Sequence, residues 1–497
     1  MLVGIDLGTT YSACAYLDEN GVPHIVHNSE GKNLTPSVVL LDDNGNVTVG
    51  EAAKDSIVVR QEDVISVVKN EMGKKIVIKE KNEIKFTPEM VSSLILKKII
   101  KDAEDKTGKS VEGVVITVPA YFDDAKRKAT EDAAAIADIE LVGIINEPTA
   151  AALWYAKKNS IENETVLVYD LGGGTFDVTV LKINKDDDIV VMSTGGLSAT
   201  GGRFFDQYIV DYICDYIDEK HGINIEDDEY IDELQELYLK AENAKIILSS
   251  NMSCNINIRI GNIKESIEIT REIFETKIKK LYERTERKVK ETIKASGLQI
   301  ADIDKVILIG GSSRIPYIEE NLTKCLGKIP SKEINPDEAV AKGAAIYAGI
   351  CASNLEKKQF TDVCSHGIGV VVVNEFGMEE NEIIIPRNST IPTRKTESFR
   401  TMADNQEKIH MTVTEGEYKE LTDVSVVGSF DIDLPTGLKK NTLIHVSICL
   451  NDRQLLEIHV TLPEIGLEKE YKIKRIANMD EAGVENATGI MRNIHVK

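Results

Sequence analysis

Two short stretches decide the fold of this chain: residues 4–10, GIDLGTT, and residues 168–175, VYDLGGGT. In each, a mostly apolar run ends in an aspartate, and glycines and a threonine follow. Glycines let backbone N–H groups approach phosphate oxygens, threonine hydroxyls can donate to them, and an aspartate at a strand end can hold Mg²⁺ through water. One copy could be only a strand and a tight turn, but two copies predict facing hairpins that clamp a polyphosphate and its metal.

Composition excludes several functional classes. The 497 residues, 42% of them hydrophobic, allow about three domains with buried cores. The formal charge of −23 argues against nucleic-acid or acidic-membrane partners. Seven scattered cysteines without a C-x-x-C pair are typical of reduced thiols, and the first residues include neither a basic segment nor a long apolar run. We therefore expect a cytoplasmic protein without a membrane helix.

The hydrophobic period changes near residue 354. Before it, apolar runs rich in β-branched residues, such as 114–118, alternate with helical patterns, such as the charged stretch 270–296 that Gly297 ends. This alternation predicts an α/β fold in which helices cover the sheets. After it, apolar and polar residues alternate, as in 444–450 and 456–462, which predicts a separate antiparallel β domain.

A third motif occupies residues 306–316, VILIGGSSRIP, where a buried strand runs into two glycines. Such a turn allows a flat ring to lie against the backbone, with the arginine stacking nearby. Alone, this motif is a weak signal. The sequence has no G-x-x-x-x-G-K-[ST] pattern, so it is not a P-loop enzyme.

Together, the three motifs resemble the actin, sugar-kinase and heat-shock ATPase superfamily. Four further segments are similar to DnaK-type chaperones of the heat shock protein 70 family: 116–122 (ITVPAYF), 145–152 (INEPTAAA), 335–340 (NPDEAV) and 389–393 (STIPT). The resemblance runs from residue 2 to about residue 476. It implies a two-lobed actin-like ATPase domain with a duplicated ribonuclease H-like core at 1–353, an interdomain linker at 354–362, a β-sandwich substrate-binding domain at 363–476 and a short tail at 477–497.

The resemblance also implies a function. It points to an ATP-dependent chaperone that hydrolyses ATP to ADP and phosphate and thereby controls its affinity for extended apolar segments of unfolded or specific client proteins. The implied cofactors are ATP or ADP, Mg²⁺ and K⁺. The implied partners are client peptides and a J-domain co-chaperone, and we expect a monomer that binds neither nucleic acid nor membrane.

Site residues are carried over onto matching positions of this sequence. The resemblance implies that catalytic residues surround the metal, the phosphates and the attacking water: Asp6, Lys69, Glu147, Asp170, Thr175 and Asp177, with Asp6 and Asp170 holding Mg²⁺ through water. It implies nucleotide contacts for Gly8, Thr9, Thr10, Tyr11, Gly172, Gly173, Gly174, Gly201, Gly202, Arg203, Glu242, Lys245, Ser249, Gly310, Gly311, Ser312, Arg314 and Asp337. It implies peptide contacts for Phe399, Met402 and Ile409, and interdomain signalling for Pro119, Arg127 and Asp362.

General chemistry agrees with these roles. Phosphoryl transfer needs positioning and positive charge, which a lysine and Mg²⁺ supply, while carboxylates orient water. Without the resemblance, Lys69 would be interpreted as an ordinary surface lysine, and Phe399 is equally well explained as core packing.

The sequence departs from the family in four places. The long helical lid is missing, which predicts fast peptide exchange. In the linker stretch 358–361 only Phe360 is apolar, which weakens the case for linker docking on the ATPase domain. Gly143 replaces an arginine that in bacterial members contacts the linker aspartate and the J-domain partner. Residues 72–86 and 250–269 are shortened where exchange factors grip, so we expect nucleotide exchange to need no helper. Together these departures resemble the short bacterial HscC-type branch.

Two other functions stay open at this point. A nucleotide-gated adaptor for one dedicated client would explain the polar linker and the missing lid. A small-molecule kinase of the same superfamily would share the phosphate hairpins, although the β domain and the segment around Glu147 argue against it.

Overall fold

The computed structural model describes residues 1–159, 163–185, 188–352, 360–374 and 376–497. The first part of the chain builds a six-stranded sheet in the order β11-β10-β1-β2-β3, with β4 beside β2. Strand β1 runs parallel to β10 and antiparallel to β2. The elements of this part are β1 (Leu2–Asp6), β2 (Tyr11–Leu17), β3 (Pro23–Ile25), β4 (Thr35–Pro36), β5 (Val38–Leu41), β6 (Val47–Val49), α1 (Glu51–Asp55), β7 (Val64–Ser66), β8 (Lys79–Lys81), β9 (Ile84–Phe86), α2 (Pro88–Thr107), β10 (Gly113–Val118), α3 (Asp124–Ile136), β11 (Leu141–Asn146) and α4 (Glu147–Asn159).

The second part builds another mixed sheet, in the order β17-β12-β13-β14 and then β18 and β21 of the following part. Strand β12 is parallel to β17 and antiparallel to β13, as β1 is to β10 and β2. The elements are β12 (Glu164–Leu171), β13 (Phe176–Ile183), β14 (Ile189–Leu197), α5 (Gly202–His221), α6 (Ile231–Leu248), β15 (Ser253–Ile260), β16 (Ile263–Thr270), α7 (Arg271–Ala295), β17 (Lys305–Ile309), α8 (Pro316–Leu326) and α9 (Ala339–Ala352).

Local sequence explains how several of these helices begin and end. Helix α2 starts with Pro88, and the Thr87 hydroxyl accepts the N–H of Met90 at 3.4 Å. Helix α7 starts after Thr270 and ends just before Gly297, whose φ of 77° favours glycine. The predicted long charged helix is therefore confirmed. Among the described helices, none is long and apolar enough to span a bilayer.

Helices α4 and α9 fix how closely the two sheets approach. A Cβ atom on Gly343 of α9 would lie 1.7 Å from the Ala150 carbonyl oxygen of α4, and one on Gly4 of β1 would lie 2.1 Å from the backbone nitrogen of Ala345. Ala150 and its two alanine neighbours are fully buried. The alanine-rich stretch 145–152 is thus the small-residue surface that lets the two halves pack together.

The third part forms two antiparallel sheets, in the orders β20-β19-β23-β24-β28 and β22-β25-β26-β27. The alternating apolar residues predicted at 444–450 and 456–462 point into one core, where Ile444, Val446, Ile458 and Val460 are at most 2% exposed. The elements are β18 (Phe360–Val363), β19 (Ile368–Val373), β20 (Glu379–Ile385), β21 (Thr390–Ile391), β22 (Thr393–Arg400), β23 (Lys408–Glu415), β24 (Ser425–Asp433), β25 (Leu443–Leu450), β26 (Leu456–Leu462), β27 (Leu467–Tyr471), β28 (Lys474–Arg475) and α10 (Glu481–Arg492).

The described end of the linker docks as a strand. Residues 354–359 of the predicted linker lie outside the described residues. Strand β18 then pairs in parallel with β14, with Phe360 opposite Ile189, and antiparallel with β21, with Asp362 opposite Ile391. The expectation that a polar linker would dock poorly is wrong for this strand, because backbone hydrogen bonds, which do not need apolar side chains, make the contact.

The segment 477–497, expected to be a short tail without a strong period, contains helix α10. Asp480 caps the helix by accepting the N–H of Gly483 at 2.8 Å, and the buried residues Ala487 and Met491 join the core of the first part. Lys497 then donates its backbone N–H to Val47 of β6 at 2.9 Å. The sequence did not predict this helix because its apolar stripe is short, with only Ala487 and Met491 buried.

Candidate functional site

A cavity of about 430 Å³ lies between the two sheets, and both predicted hairpins line it. The hairpin between β1 and β2 forms one side, and the hairpin between β12 and β13 faces it. The structure brings most of the predicted nucleotide and catalytic residues into this wall: Asp6, Gly8, Thr9, Thr10, Tyr11, Lys69, Glu147, Asp170, Gly172, Gly173, Thr175, Glu242, Lys245, Gly310, Gly311, Ser312, Arg314 and Asp337.

Close backbone approach explains the glycines of the two hairpins. A Cβ atom on Gly8 would lie 2.0 Å from the carbonyl oxygen of Tyr11, inside its own hairpin. One on Gly173 would lie 2.1 Å from the Thr10 hydroxyl of the opposite hairpin. The two hairpins therefore meet tip to tip, and only glycine leaves their backbone groups accessible at this spacing.

Buried carboxylates surround one lysine at the base of the cavity. The Lys69 ammonium lies 2.5 Å from Glu147 Oε1, and both side chains are almost fully buried. Burial, followed by repulsion from Glu147, raises the pKa of Asp6 to about 7. The pKa of Asp170 is raised by burial and by repulsion from Glu147 and Asp177. The cluster holds more negative charge than Lys69 can balance, so it favours binding of a cation.

A hydrated magnesium ion fits this donor set. In the described parts of the chain, no three acidic, histidine or cysteine side chains converge closely enough to ligate a metal ion directly. Asp6 nevertheless ends β1 and Asp170 lies one residue before the end of β12, at corresponding positions of the two hairpins, and both line the cavity. Mg²⁺ keeps several waters when it binds near phosphates, and its charge would favour the ionised form of these buried carboxylates.

Asp177 lies below the cavity wall. It is 1% exposed, pairs with Asp170 across β12 and β13, and its Oδ1 accepts the backbone N–H of Tyr121 at 2.9 Å. Burial and repulsion from Glu147 raise its pKa to about 7, while the Tyr121 hydrogen bond lowers it. Asp177 is thus held by the segment that follows β10, a contact that sequence reasoning did not find.

The opposite end of the cavity has two ion pairs that the sequence did not reveal. Lys245 of α6 lies 2.8 Å from Asp206 of α5 and donates to the Gly202 carbonyl at 3.1 Å. Glu242 lies 2.7 Å from Lys54, which reaches across the cavity from the first part of the chain. Asp206 follows the Gly201–Gly202 turn by one helical turn, which is a usable signal. Lys54 and Glu242 are 188 positions apart, and no motif links them.

The other predicted nucleotide residues lie just outside the wall. Gly201 packs its backbone against Gly173, and the Ser249 hydroxyl donates to the Lys245 carbonyl at 3.1 Å. Arg203 is exposed, and its backbone N–H donates to the Gly173 carbonyl at 2.9 Å. These contacts support the hairpin and α6. The remaining members of this group are Gly174 and Gly202, whose added Cβ atoms would meet Asn70 and Ser312 respectively.

A larger cavity, about 540 Å³, lies on the other side of Arg314. Its wall includes Lys332, Glu319 and Glu333 but neither hairpin nor any member of the carboxylate cluster. The smaller cavity combines glycine backbone, threonine hydroxyls, a buried lysine and carboxylates. Because phosphate and metal recognition needs those groups, we assign the site to the smaller cavity.

The predicted interdomain residues form a chain of contacts. Arg127 is 2% exposed and donates to Asn146 Oδ1 at 2.8 Å, and Asn146 Nδ2 donates to Asp362 Oδ2 at 2.7 Å. Pro119 begins the turn after β10, where its carbonyl accepts the N–H of Phe122 at 3.1 Å. Asn146, one strand residue that sequence reasoning passed over, therefore makes the contact to the linker aspartate.

Two of the three predicted peptide-contacting residues, Phe399 and Ile409, pack against the same core of the β-sandwich. Phe399 lies half-buried on β22, opposite Ile444, and Ile409 lies half-buried on β23, opposite Ile432, so they belong to different sheets. Met402, in the loop between these strands, is 81% exposed.

The comparisons with known proteins agree with this geometry. The family model described as Hsp70 protein matches residues 2–495. The chaperone protein DnaK of Thermosipho africanus is 38% identical over 485 residues, which are 95% of this chain and 79% of the relative. The DnaK of Thermosipho melanesiensis is 38% identical over 480 residues, with 94% of this chain and 79% of the relative covered.

Replacing a cluster carboxylate should stabilise the protein without nucleotide. Because the pKa of Asp177 is raised in the folded state, its ionisation costs stability as pH rises through about 7. We expect Asp177→Asn to raise the free energy of unfolding at about pH 8 by about 1–3 kcal/mol and to have less effect at about pH 6. Urea denaturation at both pH values measures this. The same variant should lose ATP hydrolysis. The exposed Asp228→Asn serves as control, and a destabilised Asp177→Asn variant would contradict the charge assignment.

Asp206 should set the pH dependence of nucleotide affinity. Burial raises its pKa to about 6, although Lys245 lowers it. As pH falls through that value, Asp206 becomes neutral and no longer holds Lys245, so ADP should bind more weakly. Asp206→Asn should weaken ADP binding about tenfold above pH 7 and remove this pH step in calorimetric titrations. Asp211→Asn on the same helix is the control. Equal affinities of wild type and Asp206→Asn would refute this role.

Proposed function

The chain belongs to the Hsp70 family, and we propose that strand β18 couples its ATP site to its β-sandwich. As a member of this family it is an ATP-dependent chaperone that hydrolyses ATP and binds peptide segments of client proteins.

One observation carries the coupling proposal: the sheet that contains the second phosphate hairpin continues into the sandwich. Strands β12, β13 and β14 are followed in the same sheet by β18 and β21. Asp362 of β18 is buried against Asn146, which is the residue before Glu147. A displacement of the sandwich would therefore break hydrogen bonds within the ATPase sheet, one residue from a member of the carboxylate cluster.

The geometry supports distinct chemical roles for the site residues. We infer that the hairpin glycines and Thr9, Thr10 and Thr175 hold the phosphates through N–H and hydroxyl donors. Lys69 neutralises charge on the transferred phosphoryl group, and Glu147, held against it, orients the attacking water together with Asp177. Bound Mg²⁺, held by Asp6 and Asp170 through water, supplies further positive charge.

Adenosine recognition would fall to the other end of the cavity. Arg314 is held by Asp337 at 2.6 Å, so its guanidinium plane is fixed beside Gly310 and Gly311 for stacking. Lys245 and Glu242 offer a donor and an acceptor from α6. The pair of Glu242 with Lys54 crosses the cavity, so its opening would limit nucleotide release. That exchange needs no helper protein is proposed on the shortened segments 72–86 and 250–269.

The matching arrangement of the two sheets supports a duplicated ribonuclease H-like core. In each sheet a hairpin strand has an antiparallel partner on one side and a parallel partner on the other. We also propose that the protein is cytoplasmic, which the scattered cysteines support, and that it belongs to the HscC-type branch, which its departures from the family support. A monomeric state and K⁺ as a further ion are proposed from the family resemblance.

A J-domain partner is proposed with an altered contact. The position expected to contact the linker aspartate is Gly143, and a Cβ atom there would lie 3.1 Å from Tyr347 Cε1. A side chain at this position would have to displace that ring. Instead, Asn146 donates a hydrogen bond to the linker aspartate Asp362, and Arg127 donates one to Asn146. Stimulation by a J-domain protein would therefore depend on these two residues.

Peptide binding should change ATP turnover, because coupling between two sites is reciprocal. We expect a bound extended peptide to change the single-turnover hydrolysis rate about fivefold in the wild type. Asp362→Ala should still bind peptide but lose this response, since the buried contact to Asn146 is gone. Asp433→Ala, an exposed position of the sandwich, should respond like the wild type. A peptide that binds the wild type without changing the rate would overturn the coupling.

A further inference from the structure

His366 lies at the contact between the β-sandwich and the segment that holds Asp177. It sits between β18 and β19, and its side chain is 13% exposed. Its ring centroid is 4.1 Å from that of Tyr121, and its Nε2 is 3.2 Å from the Tyr121 carbonyl oxygen. A neighbour, Ser365, donates its hydroxyl to the carbonyl of Ala120. Ser365 and His366 therefore contact the turn after β10 in two ways, by polar contacts to its carbonyl groups and by packing of the His366 ring on the Tyr121 ring.

Tyr121 is gripped from the sandwich at a second point. The Arg387 guanidinium lies 5.5 Å from the centroid of the Tyr121 ring, and it donates to the Thr194 carbonyl of β14 at 2.6 Å. Tyr121 also packs so closely on Gly196 that a Cβ atom there would lie 2.5 Å from the tyrosine Cβ. Gly196 is the residue paired with Asp177 across β13 and β14. Tyr121 thus contacts Asp177 directly through its backbone N–H, and indirectly through Gly196, which pairs with Asp177 in the sheet.

We propose that His366 is a positioning residue for ATP hydrolysis, which restrains Asp177 through Tyr121 while the sandwich is docked and releases it when the imidazole is protonated. This inference rests on the proposed ATPase site. His366 does not touch nucleotide; it acts through one intervening residue.

The direction of the effect follows from the hydrogen bond to Asp177. The Tyr121 N–H occupies one oxygen of this carboxylate and lowers its pKa, which makes it a poorer acceptor for the proton of an attacking water. While His366 holds the Tyr121 carbonyl, this N–H stays aligned. Loss of the His366 contact frees the turn, weakens the N–H bond and raises the rate of hydrolysis.

The sign of the pH effect follows from the surroundings of His366. The ionisable and charged groups facing it are Glu417, Asp123, Arg387 and the phenol of Tyr121. Glu417 Oε1 is 3.9 Å from Nδ1, too far for a hydrogen bond. Burial lowers the pKa of His366, so the imidazole binds a proton more readily when the sandwich is undocked and the ring is exposed. Docking of the sandwich therefore weakens as pH falls below the ordinary histidine pKa of about 6.5.

Another buried acid at this interface needs a control. Glu415 accepts the N–H of Asp124 at 3.1 Å, and burial raises its pKa well above the ordinary value. It titrates in wild type and variants alike. A comparison of His366 variants with the wild type at the same pH therefore isolates the contribution of the imidazole.

The test is single-turnover ATP hydrolysis between about pH 8 and about pH 6 for the wild type and two variants. His366→Gln keeps an N–H donor that cannot titrate, and His366→Ala removes both ring and donor. The wild-type basal rate should rise about twofold relative to His366→Gln as pH falls, whereas His366→Ala should be fast at both ends and gain little from peptide. The control variant His24→Gln, at an exposed histidine of β3, should follow the wild type.

A second readout does not depend on turnover. Hydrogen exchange of the segment 119–123, compared between wild type and His366→Ala at the same pH, should show lost protection in the variant. Superimposable pH profiles of wild type and His366→Gln, or unchanged protection in His366→Ala, would overturn the proposal. Absence of ATP hydrolysis in the wild type would instead overturn the proposed site, and the exchange experiment would still decide whether His366 restrains Tyr121.

Discussion

The burial of several carboxylates around a single lysine is the constraint on which the rest of the structure depends. Burial and the charge of Glu147 raise the pKa values of Asp6, Asp170 and Asp177, and Lys69, paired with Glu147, lies among them as a counter-charge. Such a cluster is unfavourable in a protein built for stability alone. It is held because two sheets place a strand end on each side of it. The protein thus maintains a site whose excess negative charge a bound cation would balance.

Local sequence predicts the parts of this site that are short-range. The hairpin glycines follow from close backbone approach, so GIDLGTT and VYDLGGGT are sufficient to predict two tight hairpins that face each other. Caps such as Thr87 and Thr270 predict helix starts for the same reason, since the cap and the N–H it accepts are three residues apart. The comparisons confirm the family, and the resemblance to it is what points to Lys69 and Glu147, which local patterns alone do not distinguish.

The contacts that sequence did not predict are those made over long separations. Lys54 meets Glu242, Asp206 holds Lys245, and Asn146 holds Asp362, and none of these pairs leaves a spacing or period in the chain. Docking of β18 was underestimated because backbone pairing does not depend on apolar side chains. Helix α10 was missed because its buried stripe is short, and its stability comes from the helices it packs on. In each case tertiary contact, not local preference, decides the structure.

The sandwich reaches the carboxylate cluster through Asp362, which contacts the residue before Glu147, and through the turn at Tyr121, which contacts Asp177, and we propose that these contacts couple peptide and nucleotide binding. The measurement that tests this account most directly is the dissociation constant of an extended peptide, determined with ADP and with a non-hydrolysable ATP analogue bound. The account predicts two different constants, and a ratio equal to the factor by which the peptide changes the relative affinities of the two nucleotides. Equal peptide affinities in both nucleotide states would contradict it.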